Sequence, residues 1–468
     1  MKHDTTINTR VERDSMGPMD VPDSVHYGAS TQRAVLNFPI SDLRFPRVFI
    51  RALALIKLSG AEVNEQLGLL PKAKARAIKK AARQAILGTY DHDMVVDIFQ
   101  TGSGTSTNMN LNEVLASHAR EFMGLSRSDR QGVHPNDDVN MGQSSNDVIP
   151  SATHLAALLD INEQLLPALH ALRASLEAKS REFMGVVKTG RTHLQDATPI
   201  LLGQEFSGYS GQIERAIAQV EFARLALSEL ALGGTAVGTG INTHKDFASL
   251  VCRKLSRKVK FKVRETTNHF QAQSSLDAVV ATSGTLRNLA VALMKIANDV
   301  RWLGSGPRAG LGEIQLPEVQ PGSSIMPGKV NPVIAESVCQ VAAQVMGNDQ
   351  TISIAGQSGL FELNVMQPVA AYNLLQSIAL LAASSNNFRL RCIDGLTATE
   401  RGPALADHSL ALATALVPHV GYDKAAEISH EAAKSGKSIK EVAATMTSLS
   451  AAELDVILDP FKMVYPEG

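Results

Sequence analysis

The residues best suited to chemistry lie in residues 322–332, which read Gly-Ser-Ser-Ile-Met-Pro-Gly-Lys-Val-Asn-Pro. Two serine hydroxyls in this glycine-flanked loop are followed by the Lys329 ammonium and the Asn331 amide, and an apolar-periodic run begins at Pro332. A proline near the first helical position predicts a helix start, and helix starts favour anions. A hydroxyl, a fixed cation and an amide donor suit a carboxylate substrate and the negative charge that develops when it reacts. A solvated Gly/Ser/Pro loop is the alternative interpretation.

Two further polar segments precede predicted helices. Residues 101–108, Thr-Gly-Ser-Gly-Thr-Ser-Thr-Asn, offer hydroxyls and free backbone N–H groups at a helix start and are a second candidate for an anion-binding loop. A helix cap with a purely structural role is the alternative. Residues 134–147 carry more short hydrogen-bonding side chains than a turn requires. Nucleotide binding is disfavoured, because the Gly-Lys-Ser at 436–438 has Glu431 in place of the first Walker glycine and no strand-turn-helix pattern surrounds a glycine cluster.

A histidine occupies the fourth polar segment, Gly-Arg-Thr-His-Leu-Gln-Asp at residues 190–196. A lone histidine is more often structural than catalytic, but His193 has no hydrophobic face to satisfy and is the best proton-transfer candidate in the chain. Glu336 lies five residues past Asn331 on the predicted helix, where it could orient and charge-pair such a histidine. An ordinary first-turn glutamate, favoured by the helix dipole, is the alternative for Glu336.

Long helices must position these segments. Apolar residues recur at a strict 3-4 spacing in several runs, which predicts coiled-coil-like seams in an extended helical bundle. This pattern stops after about Cys392, where shorter helical runs and a small polar-rich tail follow. Alternating Val259, Phe261 and Val263 predict one short strand. The seams are Phe49, Leu53, Ile56, Val63 and Leu67; Ile213, Ile217, Val220 and Leu227; Leu286, Leu289, Leu293, Ile296, Val300 and Leu303; and Ile334, Val338, Val341 and Val345.

Composition limits the class of protein. A chain of 468 residues with 44% hydrophobic residues can bury a large core and is expected to hold more than one domain. The formal charge of −1 disfavours a nucleic-acid or membrane-surface role. Cys252, Cys339 and Cys392 are too far apart for a disulfide framework, a zinc site or an iron–sulfur cluster, and are expected to be reduced thiols. Neither an export signal nor a membrane-length apolar run is visible, so we expect a cytoplasmic protein.

With these segments assembled, the chain resembles a class II fumarase of the aspartase/fumarase superfamily over essentially its whole length. Argininosuccinate and adenylosuccinate lyases share a serine motif in the signature loop, which is residues 322–332 in this chain, but lack the segments at 103–110 and 134–137. Aspartases carry glutamine, alanine and threonine at the positions of His193, Gly328 and Ser145, respectively. The stretches at 364–368 and 395–398 are nevertheless aspartase-like, so aspartate ammonia-lyase is the alternative.

The resemblance implies a mainly α, three-domain fold, with domains at residues 1–143, 144–393 and 394–468 and a central long-helix bundle shared across a homotetramer. It implies reversible hydration of fumarate to (S)-malate without metal or organic cofactor, at active sites built from three chains. A catalytically silent helical homologue is an alternative of a different functional class. The presence of all of the expected catalytic residues argues against it. The implied catalytic residues are Ser323 as general base, Lys329, and His193 backed by Glu336; the substrate-binding residues are Ser103, Thr105, Ser144, Ser145, Asn146, Thr192, Lys329 and Asn331; and a secondary dicarboxylate site comprises His134, Asn136 and Asp137.

Overall fold

The computed structural model describes residues 8–129 and 131–466, and these residues form a mainly helical protein, as predicted. The helices are α1 (Ala29–Asn37), α2 (Arg47–Gln66), α3 (Lys72–Leu87), α4 (Thr105–Phe122), α5 (Ser145–Asp160), α6 (Leu166–Glu182), α7 (Leu202–Leu227), α8 (Phe247–Val259), α9 (His269–Ser274), α10 (Asp277–Leu303), α11 (Val333–Gly356), α12 (Gln367–Phe388), α13 (Arg401–Asp407), α14 (Val417–Val420), α15 (Tyr422–Ser435), α16 (Ile439–Met446) and α17 (Ala451–Ile457).

The chain divides into two compact units. The first holds the described residues up to 166 together with 218–288 and 344–381, and the second holds 167–217, 289–343 and the described residues from 382 onward. The five divisions fall within α6, α7, α10, α11 and α12. The division into three sequence domains stays a prediction.

The predicted seams coincide with long helices. On α10 every seam position from Leu286 to Leu303 is buried. In the first unit α2 packs against α3, α5 and α8, and its seam residues Phe49, Leu53 and Val63 are fully buried. Burial of such side chains stabilises the fold by roughly 1.5–3 kcal/mol each.

The strand prediction at residues 259–263 is wrong. Val259 is the last residue of α8, whose apolar face buries Phe247, Val251 and Leu255, and Lys260 ends the helix in the left-handed conformation. Three alternating apolar residues are too few to distinguish a strand from the end of an amphipathic helix. The strand that does form is β6 (Arg264–Glu265), which pairs in parallel with β5 (Glu229–Leu230).

Two antiparallel hairpins account for the longer strands. The first pairs β1 (Thr9–Asp14) with β2 (Gly17–Pro22), and the second pairs β3 (Val187–Thr192) with β4 (Gln195–Leu201). The two-residue strands β7 (Ile314–Gln315) and β10 (Thr397–Ala398) pair with each other, as do β8 (Gly359–Leu360) and β9 (Leu363–Asn364).

The last helices of the second unit enclose a small core of their own, which includes Leu416, Ile428, Val442 and Leu454. Capping boxes at Ser438 and Ser450 start α16 and α17 and satisfy the free N–H groups of these short helices. Among the described residues, every helix is too short or too polar to cross a membrane.

Candidate active site

The signature loop between β7 and α11 is closed at its base by hydrogen bonds. The Gly322 N–H donates to the Lys329 carbonyl at 2.8 Å, and Asn331 Nδ2 donates to the Gly322 carbonyl at 2.6 Å. A Cβ atom on residue 322 would lie 2.6 Å from the Lys329 carbonyl oxygen, so this closure requires glycine. The following helix begins at Val333, as the proline at 332 predicted.

Within this loop, the Ser323 hydroxyl oxygen accepts two backbone hydrogen bonds. The Ile325 N–H donates to Ser323 Oγ at 3.1 Å and the Met326 N–H donates to it at 2.9 Å. Hydrogen bonds to an oxygen favour its ionised form over its neutral form. The serine is therefore placed where an alkoxide would be stabilised, although Ser/Thr turns make the same contacts for structural reasons.

The cation and carboxylate expected beside this serine are accessible. Lys329 is exposed, and its ammonium makes neither a hydrogen bond nor an ion pair with any described residue. Glu336 lies half-buried in the first turn of α11. Among the described residues, no hydrogen bond or ion pair joins His193 to Ser323 or to Glu336 within one chain.

His193 lies at the tip of the β3–β4 hairpin rather than in an irregular loop. Thr192 and Gln195 are paired, so His193 and Leu194 form a two-residue turn with φ angles of 56° and 60°. Both residues adopt the left-handed conformation, which is uncommon for residues other than glycine. Thr192, His193 and Leu194 are all exposed at this tip.

A buried ion-pair network holds the base of this hairpin within the second unit. Lys188 is buried, and its Nζ lies 3.3 Å from a Glu313 carboxylate oxygen and 3.4 Å from one of Glu205. Arg191 donates two hydrogen bonds to Glu313, at 3.1 and 2.7 Å. Burial raises the pKa of Glu205, and Lys188 partly offsets this increase. This network fixes the strand that carries Thr192 and His193, and sequence reasoning missed it because its members are far apart in the chain.

The predicted substrate-binding hydroxyls of the first unit lie at the start of α4. Ser103 Oγ and Thr105 Oγ1 are 2.8 Å apart. The intervening Gly104 precedes the helix in the left-handed conformation, and a Cβ atom there would come within 2.9 Å of Ile149. Asn108 Nδ2 reaches Ser145 Oγ at 3.4 Å, which links the starts of α4 and α5.

The other predicted residues of this group begin α5. Ser144 caps the helix, in a capping box with Asp147. The buried Asp147 carboxylate also accepts hydrogen bonds from the backbone of Gly233 and Thr235, both at 3.0 Å, and burial raises its pKa. Asn146 Nδ2 donates to a backbone carbonyl at 2.8 Å. The structure therefore gathers Ser103, Thr105, Ser144, Ser145 and Asn146 at two neighbouring helix starts of one unit.

Comparison with known proteins identifies the family. Residues 17–347 match the family described as Lyase, and residues 412–465 match the family described as Fumarase C C-terminus. A class II fumarate hydratase of Nitrosomonas europaea is 51% identical over 455 residues, which cover 97% of this chain and 98% of that protein. The chain belongs to the class II fumarate hydratases. This is a family of hydro-lyases.

Other class II fumarate hydratases show a similar likeness over the whole chain. The protein of Ralstonia nicotianae is 49% identical, and the match covers 98% of this chain and 100% of that one. The crystal structure of the recombinant class II fumarase from Schistosoma mansoni superposes with a TM-score of 0.96 at 40% identity, covering 98% of this chain and 100% of that chain.

One buried cation near the hydratase's α5 start was missed by sequence reasoning. Lys57 lies in the middle of α2, and its Nζ donates to Asn140 Oδ1 at 2.7 Å and to Gln143 Oε1 at 3.1 Å. Burial lowers the pKa of Lys57 to about 7, against a smaller opposing effect of Asp147. A lysine within the apolar run Leu-Ala-Leu-Ile-Lys-Leu was the signal that could have drawn attention to it.

The predicted secondary site lies within the first unit. His134 Nδ1 accepts hydrogen bonds from the backbone N–H groups of Asn136, at 3.3 Å, and Asp137, at 3.2 Å. His134 and Asn136 line a cavity of about 690 Å³ that Arg13 and Arg127 also line. The Asp137 carboxylate lies 3.3 Å from His134 Nδ1 and is largely exposed.

Proposed function

We propose that this hydratase catalyses the reversible hydration of fumarate to (S)-malate, with Ser323 as the general base. The assignment of Ser323 as the base rests on the two backbone N–H groups that donate hydrogen bonds to its Oγ. Serine is a poor base at its ordinary pKa, and preorganised donors together with the Lys329 cation lower the energy of its alkoxide.

In the dehydration direction, Ser323 removes the proton from the malate carbon next to a carboxylate, and the electron pair moves onto that carboxylate. Lys329 stabilises the resulting dianionic carboxylate with its unpaired ammonium. Asn331 uses one amide N–H to close the loop, which leaves its second N–H to bind the same carboxylate.

The hydroxyl group then leaves from the neighbouring carbon as water, protonated by His193. Thr192 positions that water, and Glu336 orients and charge-pairs His193. Ser103, Thr105, Ser144, Ser145 and Asn146 bind the second carboxylate, because hydroxyl and amide donors at helix starts favour anions. We propose that the reaction uses neither a metal nor an organic cofactor.

We further propose that the active sites form in a homotetramer, each from three chains. Two features support this proposal. His193 has no described partner within its own chain that matches its assigned role, and the long helices expose large apolar side chains, including Phe222 on α7 and Trp302 on α10, which are 76% and 55% exposed. Apolar side chains exposed along such helices are typical of subunit interfaces.

We also propose that His134, Asn136 and Asp137 mark a secondary dicarboxylate site. The guanidinium groups of Arg13 and Arg127 in the adjoining cavity supply the positive charge that two carboxylates require.

The reaction is tested with purified protein in the presence of EDTA and without added cofactor. Fumarate, fumarate with ammonia, malate, aspartate and argininosuccinate are offered separately, and turnover is followed by the change in fumarate absorbance. We expect hydration of fumarate and dehydration of malate. Deamination of aspartate without any hydration would favour the aspartase alternative, and no turnover of any compound would favour a silent homologue.

A further inference from the structure

A cluster of histidine and carboxylate groups lies in the first unit, among residues that the hydration does not use. His26 lies between β2 and α1, while His92 and Asp93 belong to the short 3-10 turn Asp91–Asp93. Asp93 Oδ2 lies 3.4 Å from His26 Nδ1 and 3.4 Å from His92 Nε2. All three atoms lie within 4.8 Å of one another.

These contacts leave buried polar atoms without a hydrogen bond. Distances of 3.4 Å exceed those of most N–H···O hydrogen bonds. Asp93 is fully buried, and while its Oδ1 accepts the His26 backbone N–H at 3.2 Å, its Oδ2 has no hydrogen-bond partner among the described residues. His26 Nδ1 is likewise buried without one. Two buried unsatisfied atoms that face each other require an explanation.

The spacing fits a bound cation. Four ligands at about 2.1 Å from a tetrahedral zinc ion lie about 3.4 Å from one another. Two imidazole nitrogens and one carboxylate oxygen suit zinc and related ions, whereas calcium and magnesium prefer oxygen ligands alone. Asp93 supplies the carboxylate oxygen of this ligand set.

We propose that His26 Nδ1, His92 Nε2 and Asp93 Oδ2 bind one divalent transition-metal ion of the zinc type, with water as the fourth ligand. The His92 side chain is 68% exposed, so the ion and its water reach the site from solvent.

The surroundings of His26 support this assignment. Glu121 Oε1 lies 3.4 Å from His26 Nε2, where it favours a proton on Nε2 and leaves the Nδ1 lone pair for the ion. The His118 ring stacks on the His26 ring with centroids 3.9 Å apart, and on Tyr90 at 3.8 Å, which fixes the orientation of the imidazole. The ion would tie the chain before α1 to the turn after α3 and so stabilise the folded state.

The test uses the full-length protein, freed of metal with a chelator and dialysed. Zinc chloride is titrated by calorimetry and the melting temperature is followed, while cobalt(II) chloride serves as a spectroscopic probe of tetrahedral geometry. We expect one zinc ion per chain, a higher melting temperature, and the intense visible bands of four-coordinate cobalt. His92→Ala and Asp93→Asn should each weaken zinc binding by about 100-fold or more. Asp93→Asn retains the oxygen that accepts the His26 N–H.

His170→Ala, which changes an exposed histidine on α6, is the matched control and should bind zinc as the unaltered protein does. Glu121→Gln should weaken binding by about 10- to 100-fold, as expected of a residue that acts through His26. The proposal is overturned if the metal-free protein takes up no zinc, or if His92→Ala and Asp93→Asn bind it as tightly as His170→Ala. It is also overturned if Glu121→Gln abolishes binding that Asp93→Asn preserves, because the ion would then lie between His26, His118 and Glu121.

Discussion

The proposed role of Ser323 as general base depends on the backbone N–H groups of Ile325 and Met326, which donate hydrogen bonds to its Oγ. Replacing it with alanine should lower kcat by about 10²- to 10⁴-fold, the contribution typical of a general base. The melting temperature should stay nearly unchanged, because Ser323 is only half-buried in a loop whose next seven residues are exposed, so its hydroxyl contributes little packing. Ser324→Ala, one residue along the same loop, is the control and should retain far more activity. If Ser323→Ala retained most of its turnover, His193 would become the leading candidate for the base.

Lys57 makes the stability of the protein depend on pH. Its pKa falls from 10.5 to about 7 on folding, so between these values the unfolded chain binds more protons than the folded chain. The free energy of unfolding should therefore rise with pH across this window, by up to about 1.4 kcal/mol per pH unit.

Lys57→Met is the variant that isolates this effect. The substitution removes the hydrogen bonds that Lys57 donates to Asn140 and Gln143. This lowers the free energy of unfolding by roughly 1–3 kcal/mol, by an amount that does not vary with pH. Denaturant titrations from pH 7 to pH 10 should show the unaltered protein gaining stability relative to the variant as the pH rises. Parallel curves for the two proteins would mean that Lys57 stays charged in the folded state.

At the scale of elements, the closed conformation of the signature loop depends more on Gly322 than on Gly328. Gly322→Ala places a Cβ atom 2.6 Å from the Lys329 carbonyl and 2.8 Å from the Asn331 nitrogen, whereas a Cβ atom on Gly328 meets open space. Gly322→Ala should therefore open the base of the loop and lower kcat/KM by about tenfold or more, since binding groups lose their positions.

Gly328→Ala is the matched control for this loop. Its φ of 76° makes alanine unfavourable by about 1–2 kcal/mol, but no atom must move. Steady-state assays of both variants, with melting curves to verify folding, should rank Gly322→Ala well below Gly328→Ala. Equal activity of the two variants would show that loop closure does not position Lys329 and Asn331.

The contrast between helices and hairpins shows how far the sequence alone could lead. The seams of α2 and α10 follow from apolar spacing, which is a property of contiguous residues. The β3–β4 hairpin could not be predicted in the same way, because its turn uses His193 and Leu194 in left-handed conformations rather than an Asn-Gly pair. Its support by Lys188 and Glu313 depends on residues far apart in sequence. Candidate site residues could thus be proposed from the sequence, whereas the contacts that hold them could not.

At the scale of the whole molecule, the proposed assembly explains why the assigned residues lie on separate elements. The exposed apolar side chains of α7 and α10 would be buried between chains, and the hairpin tip with His193 would approach the Ser323 loop of another chain. Light scattering should then give the mass of a tetramer, and a monomeric mass would contradict the proposed homotetramer.

Mixed tetramers provide the sharper test of shared active sites. Ser323→Ala and His193→Asn should each be nearly inactive alone, and asparagine tolerates the left-handed conformation at residue 193. When the two variants are co-expressed, a site is intact if its serine comes from a His193→Asn chain and its histidine from a Ser323→Ala chain. Random mixing in equal amounts makes about one site in four intact, so about a quarter of the activity should return. Hybrids of Ser323→Ala with a chain carrying both changes are the control, because they never supply an intact serine. Failure of verified hybrids of the single variants to recover activity would mean that each site is built within one chain.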